Sequence, residues 1–219
     1  MSGPAAGKGA GTMSAHLLSI LIQGVALGVG LCCTLGPQSI FVLRQGMRCR
    51  AAIEVATICS VADLVLIAAG AAGFGTALAA FPSLARFAGW CGAAFICAYG
   101  GKLLLDVLND ARIDREAPRG RSRAIATAFA LSVLNPQVYL EMIGVVGGVA
   151  VRFAGSDRAM FALGVMLVSP LWFFGLAAGG RRLATLAGSR RALRTADLLT
   201  AMLMLGLGAA LGLAEAGRL

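Results

Sequence analysis

Six apolar stretches, each long enough to cross a lipid bilayer, dominate this sequence. They cover about residues 17–35 (continuing to about 43), 52–75, 84–105, 124–150, 159–179 and 196–214. A membrane-spanning helix needs roughly 20 apolar residues. A chain that is 58% hydrophobic and 13% charged is also too apolar for a soluble domain. Because the connections are short, the sequence predicts one all-α integral membrane domain with six transmembrane helices.

Two similar strings interrupt the first and the fourth of these stretches. Leu35-Gly36-Pro37-Gln38 lies in the first, and Leu134-Asn135-Pro136-Gln137 lies in the fourth. A proline within a helix removes one hydrogen bond and displaces the carbonyl four residues earlier, here that of Cys33 or Ser132. Such a freed carbonyl is tolerated at membrane depth only inside protein or beside a watery cavity. A matched pair of broken helices therefore points to a substrate site in a secondary transporter.

The six stretches divide into two groups of three, each opened by a Pro-Gln string. Three spans per half force the second half to insert upside down, so the sequence predicts two inverted repeats. Repeat one covers about residues 17–105 and repeat two about 124–214, joined by a charged cytoplasmic linker over about 106–123. The transporter domain is 16–214, and residues 1–15 are predicted to be a disordered tail. The apolar run that begins near residue 17 is too long for the core of a signal peptide.

The positive charge of the chain is concentrated on one side of the predicted bundle. Of its 19 basic residues, 14 follow the first, third and fifth stretches. Basic loops stay in the cytoplasm, so we expect both termini to lie outside the cell membrane. No mixture of basic and aromatic residues indicates nucleic-acid binding, and the expected surroundings are a lipid bilayer. Pairs of glycines four residues apart predict close helix packing and permit a homodimer; these are Gly24/Gly28, Gly144/Gly148, Gly175/Gly179 and Gly208/Gly212.

Two acidic residues, Asp63 and Glu141, lie well away from the ends of the apolar stretches. Asp63 is near the middle of the second, and an ionised carboxylate there costs roughly 2.5–3.5 kcal/mol on insertion scales. Ser60, three residues earlier, shares its helix face and is expected to hydrogen-bond it. Glu141 lies four residues beyond Gln137, which places both on one face, with Asn135 and Tyr139 on the neighbouring face. A proton carrier, a ligand for a cationic group and a purely structural acid all remain open for both carboxylates.

Other conspicuous side chains have simpler expected roles. Arg44 is near the inner end of the first stretch, where we expect it to reach the cytoplasmic surface rather than bind a substrate carboxylate. Trp90 and Trp172 are expected to anchor at the interface or to pack in the core. The six cysteines show no CxxC spacing and the chain has a single histidine, His16. The sequence therefore predicts no metal site, no cofactor and no catalytic set, and so a protein that is not an enzyme.

The motifs resemble those of the lysine exporter (LysE) family, in particular its lysine/arginine exporter branch. The resemblance rests on Gly36-Pro37-Gln38-Ser39, Arg44-Gln45-Gly46, Ser60-Val-Ala-Asp63 and Asn135-Pro136-Gln137-Val-Tyr139-Leu-Glu141, and it runs from about Leu17 to Leu213. The family commonly has Asn where this chain has Ser39, and Asp where it has Glu141. The resemblance implies export of amino acids across the bacterial inner membrane, driven by the membrane potential or a proton gradient.

From the residues and the resemblance together, we expect an exporter of lysine, arginine or both that works by alternating access. The candidate substrate-binding residues are Gly36, Pro37, Gln38, Ser60, Asp63, Asn135, Pro136, Gln137, Tyr139 and Glu141. Asp63 and Glu141 are also the candidates for proton coupling. An exporter of neutral amino acids, of the homoserine/threonine type, is the main alternative; another small solute or a metal ion is a weaker one. Intramembrane thiol–disulfide exchange is disfavoured because no cysteine follows Cys97.

Overall fold

The computed structural model is all-helical over the residues it describes, which are 6–32, 36–48, 51–74, 82–108, 120–187 and 190–217. The α-helices are α1 (Ala6–Cys32), α2 (Pro37–Met47), α3 (Ala52–Ala69), α4 (Pro82–Leu108), α5 (Gly120–Val133), α6 (Pro136–Tyr139), α7 (Gly147–Ala150), α8 (Gly155–Ala187) and α9 (Arg190–Ala216). Two π-helical segments extend them: π1 (Gly70–Phe74) follows α3, and π2 (Leu140–Val146) joins α6 to α7. The predicted all-α class is confirmed.

Several of these helices have the length and composition needed to cross a bilayer. Three qualify alone, at Met13–Cys32, Ala52–Phe74 and Gly155–Thr185. A fourth span results if Gly120–Val133 and Gln137–Ala150, which are bent by 54° at their junction, count as one. Large apolar side chains such as Ile22, Val65 and Leu171 are exposed on these helices. Exposed apolar surface on this scale is expected where a protein faces lipid rather than water.

Each proline of the two strings opens a new helix. Pro37 lies in the first turn of α2 behind Gly36, whose backbone is extended, and Pro136 is the first residue of α6. A proline fits there because the N–H that it lacks would have no partner inside the helix. Cys33 and Leu35, which belong to the first predicted break, lie outside the described residues.

The first helix begins earlier than the sequence predicts. Residues 1–15 are expected to form a disordered tail, but α1 is helical from Ala6 onward. Extending an existing helix adds one hydrogen bond per residue without a new nucleation step. The apolar span behind the tail therefore supplies the nucleus that the tail lacks on its own.

Glycines set the closest approaches between helices. A Cβ atom placed on Gly24 of α1 would lie 3.1 Å from Gly164 Cα of α8, and one on Gly46 of α2 would lie 2.5 Å from Ala177 O of α8. Gly208 of α9 packs against Cys97 of α4 in the same way. Such contacts let backbones approach where no hydrophobic effect drives association. Gly144, Gly148, Gly175, Gly179 and Gly212 make no such contact with the part of the chain that the structure describes, since no described atom lies within 4 Å of a Cβ built there.

Two apolar clusters enclose the middle of the bundle. One contains Phe41, Cys59 and Leu131, and the other contains Ile67, Met142 and Phe161. Helix α3 contributes Cys59 to the first cluster and Ile67 to the second. Asp63 lies halfway between these two positions, one turn of helix from each. The packing thus holds this acid between the clusters, at the level where both helix breaks occur.

Candidate functional site

The two helix breaks meet at a small central cavity of about 40 Å³. Its polar lining comes from both breaks and from α3: Gly36, Gln38, Ser39, Asp63, Asn135, Gln137 and Glu141. Apolar side chains complete it, among them Val138, Met142 and Phe173. A cavity of this size holds at most a few water molecules. It must widen before an amino acid enters.

Asp63 has one satisfied and one unsatisfied carboxylate oxygen. The residue is 3% exposed, and its Oδ2 accepts a hydrogen bond of 2.8 Å from Ser169 Oγ of α8. Oδ1 is buried without a hydrogen-bond partner in the described part of the chain. An unsatisfied buried carboxylate oxygen is costly, and a cationic group of a ligand would remove this cost.

The predicted hydrogen bond between Ser60 and Asp63 is wrong. Ser60 Oγ instead donates to the carbonyl of Ala56 at 2.7 Å. A serine in a helix reaches the carbonyl four residues earlier on its own helix more readily than a side chain three residues ahead. Ser60 consequently lies outside the cavity lining, although the residue is buried.

The second break is organised by its own side chains. Asn135 Oδ1 accepts a hydrogen bond of 3.1 Å from the backbone N–H of Gln137, which caps the start of α6. Gln137 Nε2 donates to Glu141 Oε1 at 2.8 Å, which confirms that the four-residue spacing places both on one face. A Cβ atom on Gly36 would lie 3.7 Å from Gln137 Oε1. The backbone of Gly36 at the first break therefore lies close to the side-chain amide of Gln137 at the second break, with no side chain between them.

Tyr139 points away from the cavity. Its hydroxyl donates a hydrogen bond of 2.7 Å to the carbonyl of Val133, the last residue of α5. Carbonyls at a helix end lack partners within the helix, and this hydroxyl supplies one. The structure thus gives Tyr139 a capping contact at the break, on the outside of the predicted binding site.

Hydrogen bonds from neighbouring helices hold Gln38 and Ser39, the two residues that follow the first break. Gln38 Nε2 donates to Ser132 Oγ at 3.1 Å, and Ser132 Oγ donates to the carbonyl of Ala128 at 2.9 Å. The indole Nε1 of Trp172 donates to Ser39 Oγ at 3.1 Å. Sequence reasoning missed Ser132 and Ser169, and it expected Trp172 to anchor or pack, whereas this side chain lines the cavity. A sequence signal for Ser169 was available, because a serine begins both Ser169-Pro-Leu-Trp172 in the fifth apolar stretch and Ser60-Val-Ala-Asp63 in the second.

A second, larger cavity of about 230 Å³ lies at the basic end of the bundle, and we call it the vestibule. It is formed by the end of α2, the second half of α4 and the starts of α5 and α9. Arg44 Nε donates to Asp197 Oδ1 at 2.6 Å and Arg44 also donates to the Tyr99 hydroxyl at 3.1 Å. Arg48 pairs with the other oxygen of Asp197.

The prediction that Arg44 reaches the surface is wrong. Its side chain is only 11% exposed, because Asp197 provides a buried partner across the bundle. Sequence reasoning missed Asp197, because this acid is only the second residue of the last apolar stretch, where a carboxylate can also reach water.

The described residues contain no group of three His, Cys, Asp or Glu side chains placed to hold a metal ion. His16 of α1 pairs with Asp157 of α8 at 3.0 Å, and neither residue lines the vestibule. The described cysteines Cys32, Cys59, Cys91 and Cys97 form no disulfide with one another. The polar groups at the centre are thus carboxylates, amides and hydroxyls, which suit a small polar ligand with charged groups.

Comparison with known proteins finds relatives that align with most of the chain. Three relatives are each named arginine exporter protein ArgO; they come from Salmonella paratyphi B, Salmonella typhi and Salmonella typhimurium. Each is 36% identical to this chain over 191 residues, which is 86% of this chain and 90% of the relative. No solved structure matches the chain. The family model described as LysE type translocator matches residues 29–215, and the chain belongs to this family.

Proposed function

We propose that this protein is a secondary exporter of basic amino acids, with arginine, lysine or both as substrates. The observation that carries the proposal is the unsatisfied Oδ1 of Asp63 in a cavity that also holds Glu141 and the amides of both helix breaks. The relatives named as arginine exporters, which align with most of the chain, support the same substrate class. This activity makes the protein a transporter and not an enzyme.

Each polar group of the cavity has a role in this proposal. The carboxylates of Asp63 and Glu141 receive the cationic side chain of the substrate, since a charge at this depth requires a counter-charge. The amides of Gln38, Asn135 and Gln137 donate to its α-carboxylate or accept from its α-amino group. Export is driven by the membrane potential or by a proton gradient. Because a cationic substrate leaves the negative interior of the cell, either force acts through protons that enter in exchange. Asp63 or Glu141 carries such a proton, because a neutral acid releases a bound cation.

The transport cycle is alternating access between two inverted repeats of three spans. The spans are α1 with α2, α3 with π1, α4, α5 through α7, α8, and α9. An inverted repeat brings equivalent spans of the two halves together around its axis. Helix α3 packs against α8 and α4 packs against α9, and these are the second and third spans of each half. The hydrogen bond from Ser169 to Asp63 lies across the first of these pairs.

The orientation of the protein follows from its charge. The vestibule is lined by basic residues that the positive-inside rule assigns to the cytoplasm. We therefore place the vestibule at the cytoplasmic face of the bacterial inner membrane, with both termini on the other side. Substrate enters the vestibule from the cytoplasm, and the central cavity widens to receive it.

The experiment that tests the proposal is amino-acid efflux from bacteria that lack their own lysine and arginine exporters. Cells that express the protein are loaded with arginine- or lysine-containing dipeptides, and internal and external amino acids are followed. We expect selective efflux of arginine or lysine, abolished by Asp63→Asn. The matched control is Glu54→Gln, which neutralises an acid on the same helix. Its carboxylate pairs with Arg121 at 2.7 Å, away from the central cavity.

Two results contradict the proposal in different ways. Efflux of neutral amino acids in place of basic ones would move the protein to the homoserine/threonine type and leave the cavity intact. Unchanged arginine efflux from the Asp63→Asn variant would remove this carboxylate from the transport site. Protein in the membrane is measured for every variant, so that poor insertion is not read as lost activity.

A further inference from the structure

The vestibule carries an excess of positive charge that its own acids do not neutralise. Five basic side chains line it: Arg44, Arg48, Lys102, Arg123 and Arg194. Among the described residues of its lining the two acids are Asp106 and Asp197, which leaves a formal excess of three positive charges on that part of the lining. A cleft lined by one sign of charge concentrates ligands of the opposite sign. A cationic substrate that enters here meets a field that opposes its side chain.

Two of these basic side chains have no partner among the residues that the structure describes. Asp197 pairs with Arg44 and Arg48, and Arg194 donates to the carbonyl of Val107 at 3.3 Å. The side chains of Lys102 on α4 and Arg123 on α5 make no hydrogen bond or ion pair with the residues that the structure describes. Both are exposed to the vestibule from different helices. They are therefore available to an anionic group on a ligand in the vestibule.

The vestibule is close to the central cavity. Helix α2 lines both: Gln38 and Ser39 face the cavity, and Phe41, Arg44 and Gln45 face the vestibule. Phe41 packs edge to face on Tyr99 with ring centroids 5.8 Å apart. On α2 the linings of the two cavities are thus only about one helical turn apart.

We propose that the vestibule is a carboxylate subsite, in which Lys102 and Arg123 receive the α-carboxylate of the amino acid before it reaches the central cavity. This inference rests on the proposed function. It adds discrimination between amino acids and other cations, which the central acids do not provide. Carboxylates at Asp63 and Glu141 attract any cation of suitable size. The vestibule admits cations only when they also carry a carboxylate, and so it rejects diamines and decarboxylated amino acids.

Agmatine, which is arginine without its carboxylate, is the probe for this selection. Equilibrium binding of arginine and agmatine is measured with the purified full chain, separately from transport. We expect arginine to bind at least about tenfold more tightly, in line with the effect of a single-sign charged cleft. In the variant Lys102→Gln/Arg123→Gln we expect this preference to fall severalfold, through weaker arginine binding and stronger agmatine binding. The preference of the wild type should also decrease as salt is raised.

The matched control is Arg121→Gln/Arg182→Gln, which removes two positive charges outside the vestibule lining. We expect it to keep the wild-type preference for arginine. A preference that is unchanged in Lys102→Gln/Arg123→Gln, or reduced equally in the control, would overturn the inference. So would displacement of arginine by phosphatidylglycerol added to the micelles, because the positive charge would then serve lipid headgroups.

Binding and efflux together separate this inference from the proposed function. Arginine binding that depends on Lys102 and Arg123, in a protein that exports neither arginine nor lysine from cells, contradicts the exporter and supports the subsite. Arginine export with equal export of agmatine, unaltered in the Lys102→Gln/Arg123→Gln variant, supports the exporter and contradicts the subsite. A wild-type protein that binds neither arginine nor lysine contradicts both.

Discussion

Replacement of Asp197 by Asn removes the single carboxylate shared by two arginines. The Asp197 side chain is 7% exposed and that of Arg44 is 11% exposed, with 2.6 Å between Oδ1 and Nε. Arg48 pairs with the second oxygen. In the variant the two guanidinium groups lie side by side in the vestibule lining without the carboxylate that they share. Loss of one partner from a buried pair costs about 3–5 kcal/mol of folding free energy.

A surface pair in the same chain provides the comparison. Glu54 and Arg121 are 2.7 Å apart, but their side chains are 35% and 70% exposed. Exposed pairs contribute about 0–1 kcal/mol, so Glu54→Gln should change stability little. The cluster at Asp197 also ties α2 to α9 and, through Tyr99, to α4. We therefore expect the buried variant to loosen the contact between these helices as well.

Thermal unfolding of the purified protein in detergent measures the difference. With about 2–4 °C of Tm per kcal/mol for a chain of this length, Asp197→Asn should lower Tm by roughly 6–20 °C. Glu54→Gln should lower it by at most about 4 °C. The double variant Arg44→Gln/Asp197→Asn should regain part of the loss, because one of the two uncompensated charges is gone. A Tm for Asp197→Asn equal to that of Glu54→Gln would refute the reasoning from burial.

Three further predictions concern packing, capping and the cavity. Gly24→Ala should destabilise the protein by about 1–3 kcal/mol, because the added Cβ would collide with Phe161 O and press on Gly164. Gly30→Ala is the control, since no described atom lies within 4 Å of a Cβ on Gly30. Equal melting temperatures of the two variants would contradict the packing of α1 on α8. Tyr139→Phe should cost about 1 kcal/mol through loss of the bond to Val133 O, and arginine efflux should persist; abolished efflux in a variant that melts normally would assign Tyr139 to substrate binding instead. In a chain whose only cysteine is Cys32, a thiol reagent should react more slowly when arginine is present, because Cys32 lines the central cavity; labelling of a chain with only Cys91, which is exposed, should not respond, and equal responses would place arginine elsewhere.

The helix breaks and the central acids are predictable from sequence, because a proline or a carboxylate in a long apolar stretch has few possible structural roles. A proline in a long apolar stretch must end or begin a helix, and Pro37 and Pro136 each begin one. A carboxylate in such a stretch must find a partner or a ligand, as Asp63 does. Spacing along one helix also predicts the contact from Gln137 to Glu141, since residues four apart lie on one face.

Contacts between helices are beyond this reasoning. Asp63 bonds to Ser169, 106 residues away, and Arg44 to Asp197, 153 residues away. Such pairs depend on how each helix is rotated about its axis. In this bundle the glycines at positions 24, 46 and 164 set that rotation through backbone contact, and helical spacing alone does not identify which glycines these are. For the same reason the sequence predicts a surface position for Arg44 and a hydrogen bond from Ser60 to Asp63, and the structure shows neither.

Transport by the purified protein in lipid vesicles tests the central claim most directly. Vesicles loaded with unlabelled arginine are diluted into labelled arginine, lysine or threonine, and accumulation of label is followed. The account predicts that label accumulates for arginine or lysine, that it is lost in Asp63→Asn, and that it is retained in Glu54→Gln. Accumulation of threonine alone, or arginine exchange that is undiminished in Asp63→Asn, would contradict it.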